Sequence, residues 1–86
     1  MQFEFDPAKS KSNFEKHEID FHDAQQLWRD PKRITVAAKS TQESRFAMVG
    51  FCQGKHWFCV YTARGNRLRI ISVRRARKEE KSAYEK

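Results

Sequence analysis

Four short extended segments follow one another between residues 33 and 74, separated only by turn residues. That run constrains the fold more than any other feature of the chain. Arg33–Ala37 is the first segment, and the polar stretch Lys39–Glu43 reads as a turn after it. Arg45–Cys52 is apolar, and Gln53-Gly54-Lys55-His56 reads as a hairpin turn. Trp57–Thr62, rich in aromatic and β-branched residues, is the strongest strand. Arg64-Gly65-Asn66 supplies residues suited to positive φ, and Arg67–Arg74, holding Ile70-Ile71, is the last strand. Consecutive strands joined by connections this short form an antiparallel meander, because a parallel return needs a crossover of a dozen residues or so.

The first third of the chain supplies the cover. Phe3-Glu4-Phe5 alternates as a short strand. Asp6 is a favoured N-cap and Pro7 fits the first helical position, so a helix runs to about His17. Asp20 opens a second helix, whose Phe21, Ala24, Leu27 and Trp28 fall at helical spacing, and Asp30-Pro31 closes it. Ala76–Glu85 reads as a charged C-terminal helix. The expected class is α+β, in the order β-α-α-β-β-β-β-α, with a twisted antiparallel sheet and its helices on one face. With 86 residues and no linker or repeat, residues 1–86 read as a single domain.

Charge is unevenly spread. Met1–Ala63 carries nine Lys/Arg against eight Asp/Glu, a net of +1; Arg64–Lys86 carries nine against three, a net of +6. An excess confined to the last quarter of the chain points to a polyanionic partner, most often nucleic acid, or to a solvated basic helix. No apolar run suggests a signal peptide or a membrane span, so a cytoplasmic setting is expected, with Cys52 and Cys59 as reduced, small apolar residues.

On strict alternation Arg67, Arg69, Ile71 and Val73 share one face of the last strand, and Leu68, Ile70, Ser72 and Arg74 share the other, so arginines interrupt both faces. Arginine on an open sheet face binds phosphate bidentately, and neighbouring aromatics, here Tyr61 and Trp57, can stack on unpaired bases or serve as core. The chain has no His-x-x-x-His, Cys-x-x-Cys or P-loop pattern, so neither a metal site nor a cofactor is expected. RNA chemistry allows that: the 2′-hydroxyl attacks the adjacent phosphorus, and Lys, Arg, His and Glu can move protons and stabilise the phosphorane charge.

Several motifs in chain order resemble one family. They begin with Phe3-x-Phe5-Asp6-x-x-Lys9, Asn13-x-x-Lys16-His17, Ile19-x-Phe21-x-x-Ala24 and Asp30-Pro31. Glu43-x-Arg45 with Gly50 follows, then Val60-x-Thr62-x-Arg64, Arg69-Ile70-Ile71-Ser72-x-Arg74-x-Ala76, Glu80 and Tyr84. Together they resemble the BrnT-type toxins of type II toxin–antitoxin systems, within the wider RelE-like ribonuclease group. The Lys16-His17 pair and the Arg69–Ala76 segment are the most specific parts.

That resemblance implies a RelE-like fold and a metal-independent endoribonuclease that inhibits translation. It implies a cognate DNA-binding antitoxin, joined in a heterotetramer or larger autoregulating complex that reaches operator DNA only through the antitoxin. RNA, free or on the ribosome, is the implied substrate. Carried over by position, Lys16, His17, Glu43, Arg45, Arg64 and Arg74 are the expected catalytic residues, and Arg69, Ser72 and Tyr61 the expected RNA contacts. A non-catalytic RNA-binding module and an inactive relative that only regulates stand beside this reading. The sequence departs from the family where Gly usually follows the Lys-His pair and closes the helix in a left-handed cap; here the residue is Glu18.

Overall fold

A computed structural model describes residues 2–38 and 45–86. Strand β1 is Gln2–Glu4, helix α1 Pro7–His17, a 3-10 helix Asp23–Arg29, β2 Ile34–Ala38, β3 Arg45–Cys52, β4 Lys55–Arg64, β5 Arg67–Arg75 and α2 Lys78–Tyr84. The five strands form one sheet in the order β1-β5-β4-β3-β2. The meander β2–β5 is antiparallel throughout, but β1 lies parallel to β5, Phe3 opposite Leu68, so the sheet is mixed rather than antiparallel. Nothing local marks this: a three-residue strand takes its direction from the helices that return the chain.

Local chemistry sets the ends of the elements. Asp6 accepts a hydrogen bond from the Ala8 N–H at 2.9 Å, capping α1 with Pro7 at its first position. At the other end Glu18 itself adopts the left-handed conformation, φ 64°, and donates its N–H to Phe14 O at 2.8 Å. The cap expected of a glycine is therefore kept by a residue with a Cβ, at a local cost of about 1 kcal/mol. The β3–β4 turn is tighter than expected. Gln53 and Gly54 alone form it, at φ 51° and 73°, and Lys55 and His56 already belong to β4.

Asp20 accepts a hydrogen bond from the Asp23 N–H at 2.7 Å, but the element that follows is a 3-10 helix beginning at Asp23, with His22 and not Asp20 at its N-cap position. Phe21 lies ahead of it, its N–H held by Ser10 Oγ at 2.9 Å. Ile19, Phe21, Ala24, Leu27, Met48, Trp57, Cys59, Ile70 and Val73 form the buried core between this layer and the sheet. Gly50 lets Leu27 pack closely there: a Cβ on it would come within 3.1 Å of Leu27 Cδ2, so the leucine would have to shift.

Two arrangements differ from expectation and both bear on function. The β4–β5 register shifts between Val60, opposite Ser72, and Tyr61, opposite Ile70, leaving Ile71 as the extra residue of a β-bulge. Alternation therefore changes phase along β5. Leu68, Ile70 and Val73 face the core together, while Arg67, Arg69, Ser72 and Arg74 gather on the opposite face. The helices, moreover, do not all pack on one face. α1 and the 3-10 helix cover the core side; α2 lies against the other, where Glu80 meets Arg74 and the Tyr84 ring lies 4.9 Å from that of His56. His56 pairs with Phe51, one position from buried Trp57, which fixes its face. Val60 is half-buried on this second face.

Candidate functional site: the arginine face

Cross-strand pairing places the basic residues in rows over the face opposite the main core. Arg45 on β3, Thr62 on β4, Arg69 on β5 and Glu4 on β1 are successive partners across four strands. Arg64 and Arg67 pair one step beyond them, toward the β4–β5 turn. Ala47, Val60 and Ser72 form the next row, and Val49, Phe58 and Arg74 the one after that. Ser72 and Arg64 are exposed, Arg45 and Arg69 half-buried. The result is a floor of small and apolar side chains rimmed by guanidinium groups.

Three of those guanidinium groups meet carboxylates. Arg69 Nη1 donates to Glu4 Oε2 at 2.9 Å, and Arg64 Nη1 approaches the same oxygen at 3.9 Å. Arg74 forms a bidentate pair with Glu80 at 2.9 and 2.8 Å, and its guanidinium lies 4.2 Å above the centre of the Phe58 ring. Hydrogen bonding and charge from Arg74, with the Arg77 N–H at 2.7 Å, hold the Glu80 carboxyl below the usual carboxylate range. Arg74 thus ties α2 to the sheet while standing at the border of the arginine face.

The remaining expected residues divide. Lys16 and His17 end α1 on the core side of the sheet, and among the described residues no hydrogen bond or ion pair joins either to the arginines. α1 does run along the free edge of β5: Asn13 accepts from the Val73 N–H at 3.3 Å and donates to Ile19 O at 2.8 Å. His17 lies one helical turn further on, about 6 Å along the axis. Glu43 falls outside the described residues. Tyr61 and Trp57 turn inward and are core, not base-stacking groups. Tyr61 packs between Trp28 and Phe46, with ring centres at 5.0 and 5.7 Å, and Trp57 donates its indole N–H to Cys52 O. Both cysteines are free, and burial pushes both thiols up, Cys52 to about 11, which makes them poor nucleophiles.

Glu4, which organises Arg64 and Arg69, was not singled out from sequence, because its role depends on the parallel β1–β5 pairing. Arg67 was placed on the face of Arg69 by alternation but not among the site residues.

A family model described as the ribonuclease toxin BrnT of type II toxin–antitoxin systems matches residues 5–80. The chain belongs to the BrnT family. A search of curated proteins found no match. Membership makes this a ribonuclease toxin with a cognate antitoxin as its partner. Among the described residues of this BrnT chain, no helix is long and apolar enough to cross a membrane. Nor do three His, Cys, Asp or Glu side chains converge there as a metal-binding group.

Proposed function

We propose that this BrnT chain is one RelE-like domain acting as an endoribonuclease, and that RNA lies across the arginine face. The observation carrying the reading is the bulge at Ile71, which brings Arg67, Arg69, Ser72 and Arg74 to one side of β5 beside Arg45 and Arg64. The reaction is attack of a ribose 2′-oxygen on the adjacent phosphorus with departure of the 5′-oxygen, leaving a 2′,3′-cyclic phosphate and a free 5′-hydroxyl. Phosphorane charge is the chief cost of that step, and fixed guanidinium groups lower it without reorganising. Arg64 and Arg69 hold the phosphate once it displaces Glu4, Ser72 donates a further hydrogen bond, and Arg74 clamps the neighbouring phosphate.

Proton transfer falls to Lys16 and His17, reaching over the β5 edge, and to Glu43, two residues before Arg45 in the sequence. Guanidinium and ammonium groups of the protein would supply the positive charge that a metal-independent path needs. Cleavage of this kind in the cytoplasm stops translation, on free or ribosome-bound RNA. The antitoxin blocks it within an autoregulating complex, as a heterotetramer or larger assembly, that reaches operator DNA through the antitoxin.

The test is cleavage of single-stranded RNA in excess EDTA, with end-group analysis, for the wild type and for Arg64→Ala and Arg69→Ala. Cyclic-phosphate ends that disappear in both variants support the reading. RNA binding without cleavage, on ribosomes as well as off them, would favour the non-catalytic module. Cleavage undiminished in both variants would move the site elsewhere.

A further inference from the structure

Strand β2 ends the sheet, and among the described residues nothing pairs with its outer edge. Its sequence, Ile34-Thr35-Val36-Ala37-Ala38, holds no proline, glycine or charge. Edge strands of soluble proteins are normally blunted by such residues, since an open, flat, apolar edge invites another strand. The opposite edge is protected: β1 has three residues and ends on Glu4, and α1 covers β5 beyond it through Asn13. The contrast points to a use for β2.

The surface beside it is also apolar. Val36 and Phe51 are 49% and 43% exposed. Ile34 and Phe51 open onto a groove of about 730 Å³, with His56, Tyr84, Lys32, Lys86 and Glu85 around it. Ile34 and Val36 pair with Val49 and Ala47, so both belong to the face that carries α2. Aliphatic side chains along a strand offer nothing for a nucleobase to stack on, whereas they suit the alternating side chains of an added β-strand. Charge restricts that strand further. Lys32 and Arg33 lead into β2, Lys86 borders the groove, and the chain carries a net +7, so a second copy would bring like charge against like.

We propose that β2 receives an extended, acidic segment of the cognate antitoxin as a sixth strand, its apolar side chains against Ile34, Val36 and Phe51 and its carboxylates near Lys32, Arg33 and Lys86. This rests on the reading of the chain as a toxin with an antitoxin partner, and it adds where that partner holds on. β2 lies at one end of the sheet, beside β3 with Arg45, whereas Arg64, Arg69 and Glu4 stand beyond it on β4, β5 and β1. Holding the toxin at β2 and blocking Arg64 and Arg69 are therefore separate tasks of the antitoxin. A toxin altered at β2 keeps its activity and escapes neutralisation.

The experiment compares wild type, Val36→Lys and Lys32→Glu, each purified alone and titrated with the cognate antitoxin. RNA cleavage without antitoxin and hydrogen exchange of residues 34–38 are followed alongside. The expected result is at least about tenfold weaker antitoxin binding for both variants, unchanged cleavage, and protection of the β2 amides only in the wild-type complex. Lys32→Glu leaves the apolar strand intact, so a folding defect in Val36→Lys does not remove the test. Equal affinities with no protection of β2 overturn the proposal. So does a wild-type chain that self-associates through Val36, or a loss of RNA binding in the variants. A wild-type chain that binds no antitoxin overturns the underlying reading itself, a result distinct from binding that bypasses β2.

Discussion

Glu4 and Arg69, neighbours across the parallel β1–β5 pair, bond at 2.9 Å, so the arginine face carries its own carboxylate where a phosphate would sit. Phosphate binding must displace that carboxylate from Arg69 and, more weakly, from Arg64. Glu4→Gln removes the competing charge while keeping the side chain's shape. Half-exposed pairs of this kind are worth about 0.2–1 kcal/mol. RNA affinity should therefore rise by up to about fivefold at low salt, and the gain should fade as salt screens the face. Fluorescence anisotropy with a short single-stranded RNA measures it; weaker binding in Glu4→Gln would mean the carboxylate takes part in RNA contact.

Glu18 pays a backbone penalty that glycine would not. Its φ of 64° and its hydrogen bond to Phe14 O define a left-handed cap, and the side chain is exposed. Glu18→Gly should stabilise the protein by roughly 0.5–1 kcal/mol, seen as a rise of several degrees in Tm. A fall in Tm would show that Glu18 makes a compensating interaction.

Arg74 has two assignments that one substitution cannot separate. It holds Glu80, and with it α2, and it is proposed to hold phosphate. Glu80→Gln weakens only the first, so cleavage should be retained or raised while stability falls by about 1 kcal/mol. Arg74→Gln should lose cleavage about a hundredfold or more at a similar cost in stability. If cleavage falls equally in both variants, Arg74 acts by positioning α2, and a parallel thermal melt identifies that outcome.

Asp30 joins the two helical layers. Burial alone would raise its pKa, but hydrogen bonds from the Tyr84 hydroxyl at 2.7 Å and from the Lys32 and Phe51 N–H groups at 2.9 and 2.8 Å outweigh it and hold the carboxyl below its ordinary value. A carboxylate depressed in the folded state contributes stability above its unfolded pKa and loses it as pH falls through the folded one. Glu80 behaves in the same way. The anchoring of α2 should therefore weaken below about pH 4. For Tyr84, burial and the bond to Asp30 push the hydroxyl up to about 12, so its contribution is whole below about pH 10 and fades toward 12. Tyr84→Phe should remove the alkaline loss and part of the acid loss. Thermal melts across pH for both proteins check the sign; identical profiles would refute the latch.

The meander was legible because its turns depend on local chemistry. Gly54 and Gly65 take positive φ, at 73° and 59°, and Asp6-Pro7 starts α1 where the residues require it. The helix-like spacing of Ala24, Leu27 and Trp28 fits a 3-10 turn as well as an α-helix over so few residues, so that distinction was not legible. The parallel β1 and the placement of α2 depend on contacts across the whole chain: Phe3 against Trp28, Glu4 with Arg69, Tyr84 with Asp30. The site arginines could be listed from sequence, but not assigned to one face, because a bulge changes the phase of alternation and Ile71 looks like any strand residue.

That bulge makes a prediction of its own. Removing one residue from a regular strand turns every later side chain to the wrong face. Removing Ile71 should not, because Ile70, opposite Tyr61, would be followed directly by Ser72, opposite Val60, and Val73 would still face the core. The deletion variant should fold, with a stability loss of no more than about 2 kcal/mol. Deleting Val60 from the facing strand should instead turn Tyr61 out of the core and abolish cooperative unfolding. Without Ile71, however, Arg69 and Arg74 keep their partners Thr62 and Phe58 while the local bend and twist of the bulge relax, which re-aims both guanidinium groups. Cleavage should then drop at least about tenfold in a folded protein, since re-aiming the arginines is costly in a preorganised site. Circular dichroism melts and RNA cleavage on the two deletions decide it. A folded, fully active Ile71 deletion would show that the twist of the bulge is immaterial to the two arginines.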